Sequence, residues 1–423
     1  MDDGPEERIR PWGSLTFRDF RLLWIGGIFS GLARYMREML NFYLIYELSG
    51  SAVQLGLTGL FQAVPVLTLG LLSGSIADHF DRKKLLIVTH TVGLTAPFLL
   101  AFLIFADLVA VWHLWLLTSL SGAIAVVGGP AQRAFMARLV PRSHMMNAVT
   151  LLSVPTQGTL LVGPVLAGSI VDISGIGYAY LANGMLQVAS LGALVLIATS
   201  GVPEGESGRR RVSIAAIVDG LKFAWQQKII FAGFLIDWTA MAFGFYRILL
   251  PVLAKDVYGV GATGLGILNA APAIGAVIAS LLLLGMGDVR RKGVLLAISG
   301  LGYAAFVALL GATPWFWLGL LATVGLGLTD MVSYTLRQAL IQLVAPDNFR
   351  GRTAATSQMF STLANSTGSL EIGVAAALLG PQLALVVGGG ASALLIAVIS
   401  ARVKTLWQYG ASPGPREVPP RTG

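Results

Sequence analysis

Cysteine is absent from the 423 residues, which excludes disulfides and thiolate metal sites. Histidine is scarce. The four in the chain are His79, His90, His113 and His144, and no two stand at a metal-ligand spacing, which argues against a metalloenzyme. Charge is scarce too, at 12% of residues against about 25% in soluble proteins. No Gly-x-x-x-x-Gly-Lys-Ser/Thr phosphate loop occurs, so ATP-driven work would need a partner protein. Neither a Ser–His–Asp set nor a pair of catalytic carboxylates stands out, so no enzymatic activity and no cofactor is expected. The first 19 residues are charged and interrupted by Pro5 and Pro11. They lack the apolar core and small-residue cleavage site of a signal peptide.

What the chain has in excess is apolar length. Hydrophobic residues make up 55% of it, and stretches of about 20 apolar residues, each long enough to span a bilayer as a helix, recur from residue 20 to residue 403. The pattern predicts an all-α membrane protein with twelve transmembrane helices at 20–46, 52–76, 85–106, 112–136, 147–172, 178–200, 228–253, 262–286, 293–312, 315–338, 351–375 and 382–403. Glycine is abundant, with 51 residues, as suits close helix packing in a membrane.

The basic residues orient these helices. With the N-terminus inside, 25 of the 29 Lys and Arg fall in or beside cytoplasmic segments, as the positive-inside rule requires. The net charge of +8 therefore follows membrane loops and gives no reason to expect nucleic acid. Both termini are expected in the cytoplasm, across a prokaryotic inner (plasma) membrane. The polar segment 201–213 divides the chain in two. The expected organisation is a cytoplasmic N-terminal segment (1–19), a six-helix bundle (20–200), a cytoplasmic central loop with an amphipathic helix (201–227), a second six-helix bundle (228–403) and a disordered cytoplasmic tail (404–423). Two readings of residues 214–225 stay open, a helix lying on the membrane surface or an extension of helix 7. Echoes between the halves support duplication. RAFMARLVP at 133–141 resembles QALIQLVAP at 338–346, and DHFDRKKLL at 78–86 resembles DVRRKGVLL at 288–296.

The most informative stretch is Gly74-Ser-Ile-Ala-Asp78-His-Phe-Asp81-Arg82-Lys83-Lys84, in the short inner loop between helices 2 and 3. Gly74 lets two helices approach closely. Asp78 can accept from a helix N-terminus or pair with a cation, and the basic run can hold anionic head groups. This stretch resembles the loop 2–3 signature of the major facilitator superfamily, over roughly residues 15–405 of the chain. Within the superfamily it resembles the branch of enterobactin exporters and drug–proton antiporters. The resemblance implies two six-helix bundles rocking around a central cavity, with Gly74, Asp78, Arg82 and Lys83 in the gating loop and Asp78 and Arg82 helping to lock the bundles on the cytoplasmic side.

A second signature, Gly158, Gly163, Pro164 and Gly168 in QGTLLVGPVLAG, resembles the helix 5 motif of exporters in that family. Ordinary glycine-mediated packing is the competing reading. Proline there removes a backbone donor and bends the helix.

Ionisable groups inside a membrane are costly and mark function by default. Helix 1 carries Arg34, Arg37, Glu38 and Asn41, whose spacing places them on one broad face. That face is expected to line the cavity, with Glu38 paired to Arg34, and a purely structural ion pair is the alternative. The family commonly places an acidic residue near position 34. This chain has arginine, so Glu38 is the nearest substitute for a proton carrier. Asp237, Asp330 and Glu371 are further candidates for cavity or proton-coupling roles, with helix-end or packing roles as the alternative. Arg133 and Arg337, at matching inner ends of helices 4 and 10, either pair with acidic partners in a cytoplasmic gate or snorkel to head groups. Asp107 and Asp172 are expected to be solvated at outer helix ends.

Together these features predict a secondary active transporter, a monomer whose partners are a small-molecule substrate, a coupling proton and the lipid bilayer. The expected activity is proton-coupled export of a small amphipathic compound, drug-like or a siderophore, by alternating access. Uptake or facilitated diffusion by the same fold is the first alternative. A non-transporting membrane receptor or assembly factor is the second.

Overall fold

A computed structural model describes residues 10–201, 222, 225–287, 289, 291–403 and 405–408. The long helices are α1 (Arg18–Ser49), α2 (Ala52–His79), α3 (Arg82–Phe105), α4 (Val111–Met136), α5 (Met145–Ser174), α6 (Ile176–Val195), α7 (Lys228–Phe243), α8 (Ala262–Met286), α9 (Lys292–Ala312), α10 (Phe316–Val344), α11 (Asp347–Leu379) and α12 (Pro381–Arg402). No strand occurs among the described residues. Nine helical stretches there are long and apolar enough to cross a membrane. The long helices outside that set are α1, α6 and α11, and they carry the polar residues: Arg34, Arg37 and Glu38 on α1, Asn183 and Gln187 on α6, and a Ser/Thr/Asn-rich run with Glu371 on α11.

Helix boundaries follow local chemistry. Gly50 closes α1 in the left-handed region at φ 58° and donates its N–H to the Tyr46 carbonyl, a conformation that suits a residue without Cβ. Asp81 caps α3, its carboxylate accepting from the backbone N–H of Lys83 and Lys84. Large apolar side chains remain exposed along the helices, among them Phe102, Leu281, Leu284, Leu321 and Leu378. A membrane protein turns such residues to lipid, whereas a soluble one would bury most of them.

The chain forms two compact units, Met1–Ser213 with Arg247–Ala273, and Ile214–Tyr246 with Ile274–Gly423. In the first unit α1 packs on α5 and α6, α2 on α4, and α3 on α4 and α6. In the second, α7 packs on α11 and α12, and α9 on α10 and α12. The pairings of α1 and α3 thus recur six helices later, the structural counterpart of the sequence echoes.

The expected helix 228–253 is interrupted. Helix α7 ends at Phe243, Gly244–Tyr246 is non-helical, and the chain resumes as a 3-10 turn at Arg247–Leu249, a short α segment, and a π turn at Leu253–Val257. Tyr303 holds the break, its hydroxyl donating to the Gly244 carbonyl at 3.2 Å. A Cβ on Gly244 would crowd the Ala240 carbonyl and that same tyrosine ring. Residues 247–273 accordingly pack with the first unit, whereas the sequence division placed them in the second bundle.

The tail expectation needs one correction. Thr405–Gln408 is a helical turn, with Leu406 fully buried and Trp407 Nε1 donating to the Ser400 carbonyl at 2.7 Å. Apolar burial orders these residues, although the tail's composition suggested disorder. Residues 409–423 and most of the central segment, 202–221 with its amphipathic stripe, lie outside the described residues.

Candidate functional site

The charged face of α1 opens onto two cavities within the first unit. The larger, about 170 Å³, is lined by Arg34, Arg37, Glu38 and Asn41 of α1 with Thr58, Gln62, Thr118 and Ser121 of α2 and α4. The smaller, about 110 Å³, shares Arg34, Arg37 and Ser121 and adds His90 and Gln187. Helical spacing places the α1 residues on this face, with Asn41 buried, Arg37 and Glu38 half-buried and Arg34 exposed.

The expected Arg34–Glu38 pair does not form. Glu38 instead meets Arg247, at 3.8 Å with both side chains about one-third exposed (39% and 32%). Arg34 lies over the ring of Tyr35, 5.4 Å from its centroid. Arginine preceding glutamate by four is the weaker order for a pair along a helix, and the break after α7 brings a competing cation to Glu38. Arg37 lies in the field of Arg34, Glu38 and Tyr180.

Asn41 is buried and serves as a hinge of hydrogen bonds, accepting from Tyr180 Oη at 2.8 Å and donating to Thr118 Oγ1 at 3.2 Å. It leads to a polar row on α6 that sequence reasoning missed. Asn183 donates to the Ala33 carbonyl at 2.5 Å, Gln187 donates to Asn183 at 3.3 Å, and Ser190 stands 3.4 Å from His90. Tyr180, Asn183, Gln187 and Ser190 recur every three or four residues, so a polar stripe on an apolar helix was the available signal.

The loop 2–3 motif divides. Gly74 and Asp78 lie in the last turns of α2, and their side chains fall outside the described residues. The described part of the loop binds the chain after α6. Arg82 donates its backbone N–H to the Gly201 carbonyl at 3.0 Å, and Lys83 Nζ donates to the Ile197 carbonyl at 2.5 Å. Asp19 of α1 joins them, accepting from the backbone of Ala198 and Thr199 and from the Thr199 hydroxyl. One end of α6 is thereby stapled to both α1 and α3.

The helix 5 motif also divides. A Cβ on Gly163 would press against Leu32, Tyr35 and Met36 of α1, and one on Gly168 would collide with the backbone of Ala262 and Thr263. The Pro164 carbonyl lies where a Cβ on Gly266 would sit, whereas Gly158 faces open space. Asp172, expected to be merely solvated, caps α8. Its carboxylate accepts from the N–H of Ala262 at 3.0 Å and of Thr263 at 2.7 Å. Nearby, Lys255 pairs with Glu47 at 2.8 Å and Tyr46 donates to Asp256. These contacts bind residues 255–263 to the ends of α1 and α5, and no motif announced them.

In the second unit the structure joins two residues that the sequence placed in separate groups. Asp237 of α7 and Arg337 of α10 form an ion pair, with side chains 6% and 7% exposed. Ser361 of α11 donates to the same carboxylate at 2.7 Å. Gly233, one turn before Asp237, faces the arginine stem, where an added Cβ would sit in ordinary contact 3.5 Å from Arg337 Cγ. Arg337 is thus buried on a carboxylate and does not reach for head groups. Asp330 lines a cavity of about 10 Å³ beside Asp237, barely the space of one water. Glu371 and Arg133 are exposed, on α11 and α4. Among the described residues, no three His, Asp or Glu form a group able to hold a metal ion.

Long apolar helices whose charges gather around an internal polar cavity define a polytopic membrane transport protein. Residues 9–413 match the major facilitator family described as transmembrane secretion effector, and the chain belongs to that family. It is similar to the enterobactin exporter EntS of Shigella boydii, at 25% identity over 333 residues, 78% of each chain. It is likewise similar to the uncharacterized MFS-type transporter YfiS of Bacillus subtilis, at 24% identity over 358 residues, 81% of this chain and 83% of the other. Solved structures share the fold. A POT family transporter superposes with TM-score 0.74 at 12% identity, covering 92% of this chain and 96% of that one. A D-xylose–proton symporter does so with TM-score 0.68 at 16% identity, covering 93% and 98%. The chain is therefore a multi-pass membrane transporter of the major facilitator superfamily.

Proposed function

We propose that this transporter is a proton-coupled exporter of a small amphipathic organic compound, drug-like or a siderophore, working by alternating access in the inner membrane. In this reading the chain acts as a monomer with twelve spans in two six-helix bundles and both termini in the cytoplasm. The observation that carries it is the cavity beside α1, a polar and charged space inside an apolar helical unit. Similarity to an enterobactin exporter favours outward transport of an organic cargo, and the 25 basic residues assigned to cytoplasmic segments favour the orientation. A driving ion must bind one orientation of the carrier better than the other, since equal affinity shifts nothing. Glu38, Asp330 and Glu371 are the candidate proton carriers. Asp237 is already committed to Arg337, and the pair has a positioning role in the second unit. The loop with Asp78 and Arg82 is the candidate cytoplasmic gate, and Arg133 of α4 is a further candidate for it.

Inside-out vesicles with an imposed pH gradient test the proposal. Accumulation of cargo that collapses with the gradient, and is lost in Glu38→Gln and Asp78→Asn, is the expected result. Gradient-independent equilibration points to facilitated diffusion. Absence of flux across a broad panel points to a receptor or assembly factor.

A further inference from the structure

The charges around the two cavities do not balance. Arg34 and Arg37 line both spaces, and among the described residues neither guanidinium has a carboxylate within ion-pair distance. Among the described residues Glu38 is the single carboxylate lining them, and it already faces a third cation, Arg247. Arginine does not escape this imbalance by losing its proton. Arg34 is exposed and Arg37 half-buried, so their donors stand open beside these spaces, and an oxyanion entering them would accept charge-assisted hydrogen bonds from both. The remaining lining supports such a guest. Gln62 offers an exposed amide and Thr118 a hydroxyl, and Phe42 offers an apolar surface.

We propose that the cargo is an organic anion, an amphipathic molecule whose oxyanion group is bound by Arg34 and Arg37 in the first unit. The proposal rests on the export reading above and narrows it, because cationic amphiphiles are disfavoured at this site. Two arginines three residues apart on one helix can each direct paired N–H donors at a carboxylate or sulfonate. The apolar part of the molecule extends past Phe42.

Two measurements test it. In the first, a host expressing the full chain and a vector control are compared by untargeted mass spectrometry of the spent medium. Compounds whose export depends on the chain are sorted by charge at pH 7. Anions are expected, with export falling about 10- to 100-fold in Arg34→Gln and in Arg37→Gln and partly retained in Arg37→Lys. Dependent compounds that are neutral or cationic overturn the inference and leave the transporter reading intact. No dependent compound at all overturns both. The second measurement uses purified protein, checked for a monodisperse elution profile, and compares thermal stabilisation by 2-naphthalenesulfonate and by the uncharged 2-naphthalenesulfonamide. Stabilisation by the sulfonate alone, lost in the Arg34→Gln/Arg37→Gln variant, is expected. Sulfonate no better than sulfonamide refutes the assignment, as does stabilisation by phosphatidylglycerol only, which would make the site a lipid headgroup site.

Discussion

Removing the charge of Asp237 isolates the energetics of the second unit. Asp237→Asn keeps the side chain's shape and its reach to Ser361 but leaves Arg337 buried at 7% exposure without a counter-charge. Arg337 Nε already lacks an acceptor, so little local compensation is on hand. Breaking a buried pair from one side costs about 3–5 kcal/mol. At about 2–4 °C per kcal/mol for a unit of this size, the melting temperature should fall by roughly 6–20 °C. Arg337→Met should cost less, because the Ser361 hydroxyl still donates to the carboxylate left behind, whereas Asp237→Asn leaves a buried guanidinium whose Nε has no acceptor. The double variant Asp237→Leu/Arg337→Met should recover most of the loss, since an apolar replacement of a buried pair is often neutral or stabilising. Thermal melts of wild type, Asp237→Leu, Arg337→Met and the double variant in one detergent close the cycle, with Asp237→Asn measured beside them. Losses that simply add, or a single-variant loss near the ~0.6 kcal/mol average of interhelical polar contacts in membranes, would refute the desolvation argument.

Glycine positions on α5 should separate sharply. Gly168→Ala drives a Cβ into the Ala262 backbone and should destabilise by about 1–3 kcal/mol. Gly158→Ala meets nothing within 4 Å and should be neutral or stabilising by up to ~1 kcal/mol, both read as melting temperature. Asp172→Ala removes the acceptor for two N–H groups of α8. It should cost about 0.5–2 kcal/mol, with Asp172→Asn close to wild type. At the same end, Lys255→Met should change stability by less than about 1 kcal/mol, because its pair with Glu47 is 53% and 36% exposed. Tyr46→Phe, which loses a hydrogen bond to the Asp256 carboxylate, should cost more, about 1.5–3 kcal/mol.

Helix existence was legible because apolar length and loop charge both report on the bilayer. The α1 face was legible for a related reason: four polar residues at helical spacing share a face that is costly to turn to lipid. The partners of those residues were not. Glu38 meets Arg247 because α7 breaks at Gly244, and that break depends on Tyr303 of a distant helix donating to a freed carbonyl. Nothing in the sequence around residue 244 announces it. Asp237 and Arg337 were each singled out, but pairing across 100 residues of sequence follows from helix packing. Asp172 read as solvated because sequence cannot show that the N–H groups of residues 262 and 263 arrive within reach. The α6 polar row was within reach of a periodicity argument and was overlooked because each member is uncharged.

The two units handle internal charge in opposite ways, and that contrast bears on where cargo binds. In the second, the carboxylate and guanidinium satisfy one another, a serine completes the carboxylate, and the adjoining cavity holds about 10 Å³. A pair so engaged has little left to offer a ligand and would have to be broken to bind one. In the first, Arg34 and Arg37 face cavities of about 170 and 110 Å³ with no carboxylate at ion-pair distance among the described residues. Recognition needs groups whose best partner has yet to arrive, in a space large enough to admit it. By that criterion the proposed binding surface is α1, and the role proposed for the α7–α10 pair is to hold the second unit in shape.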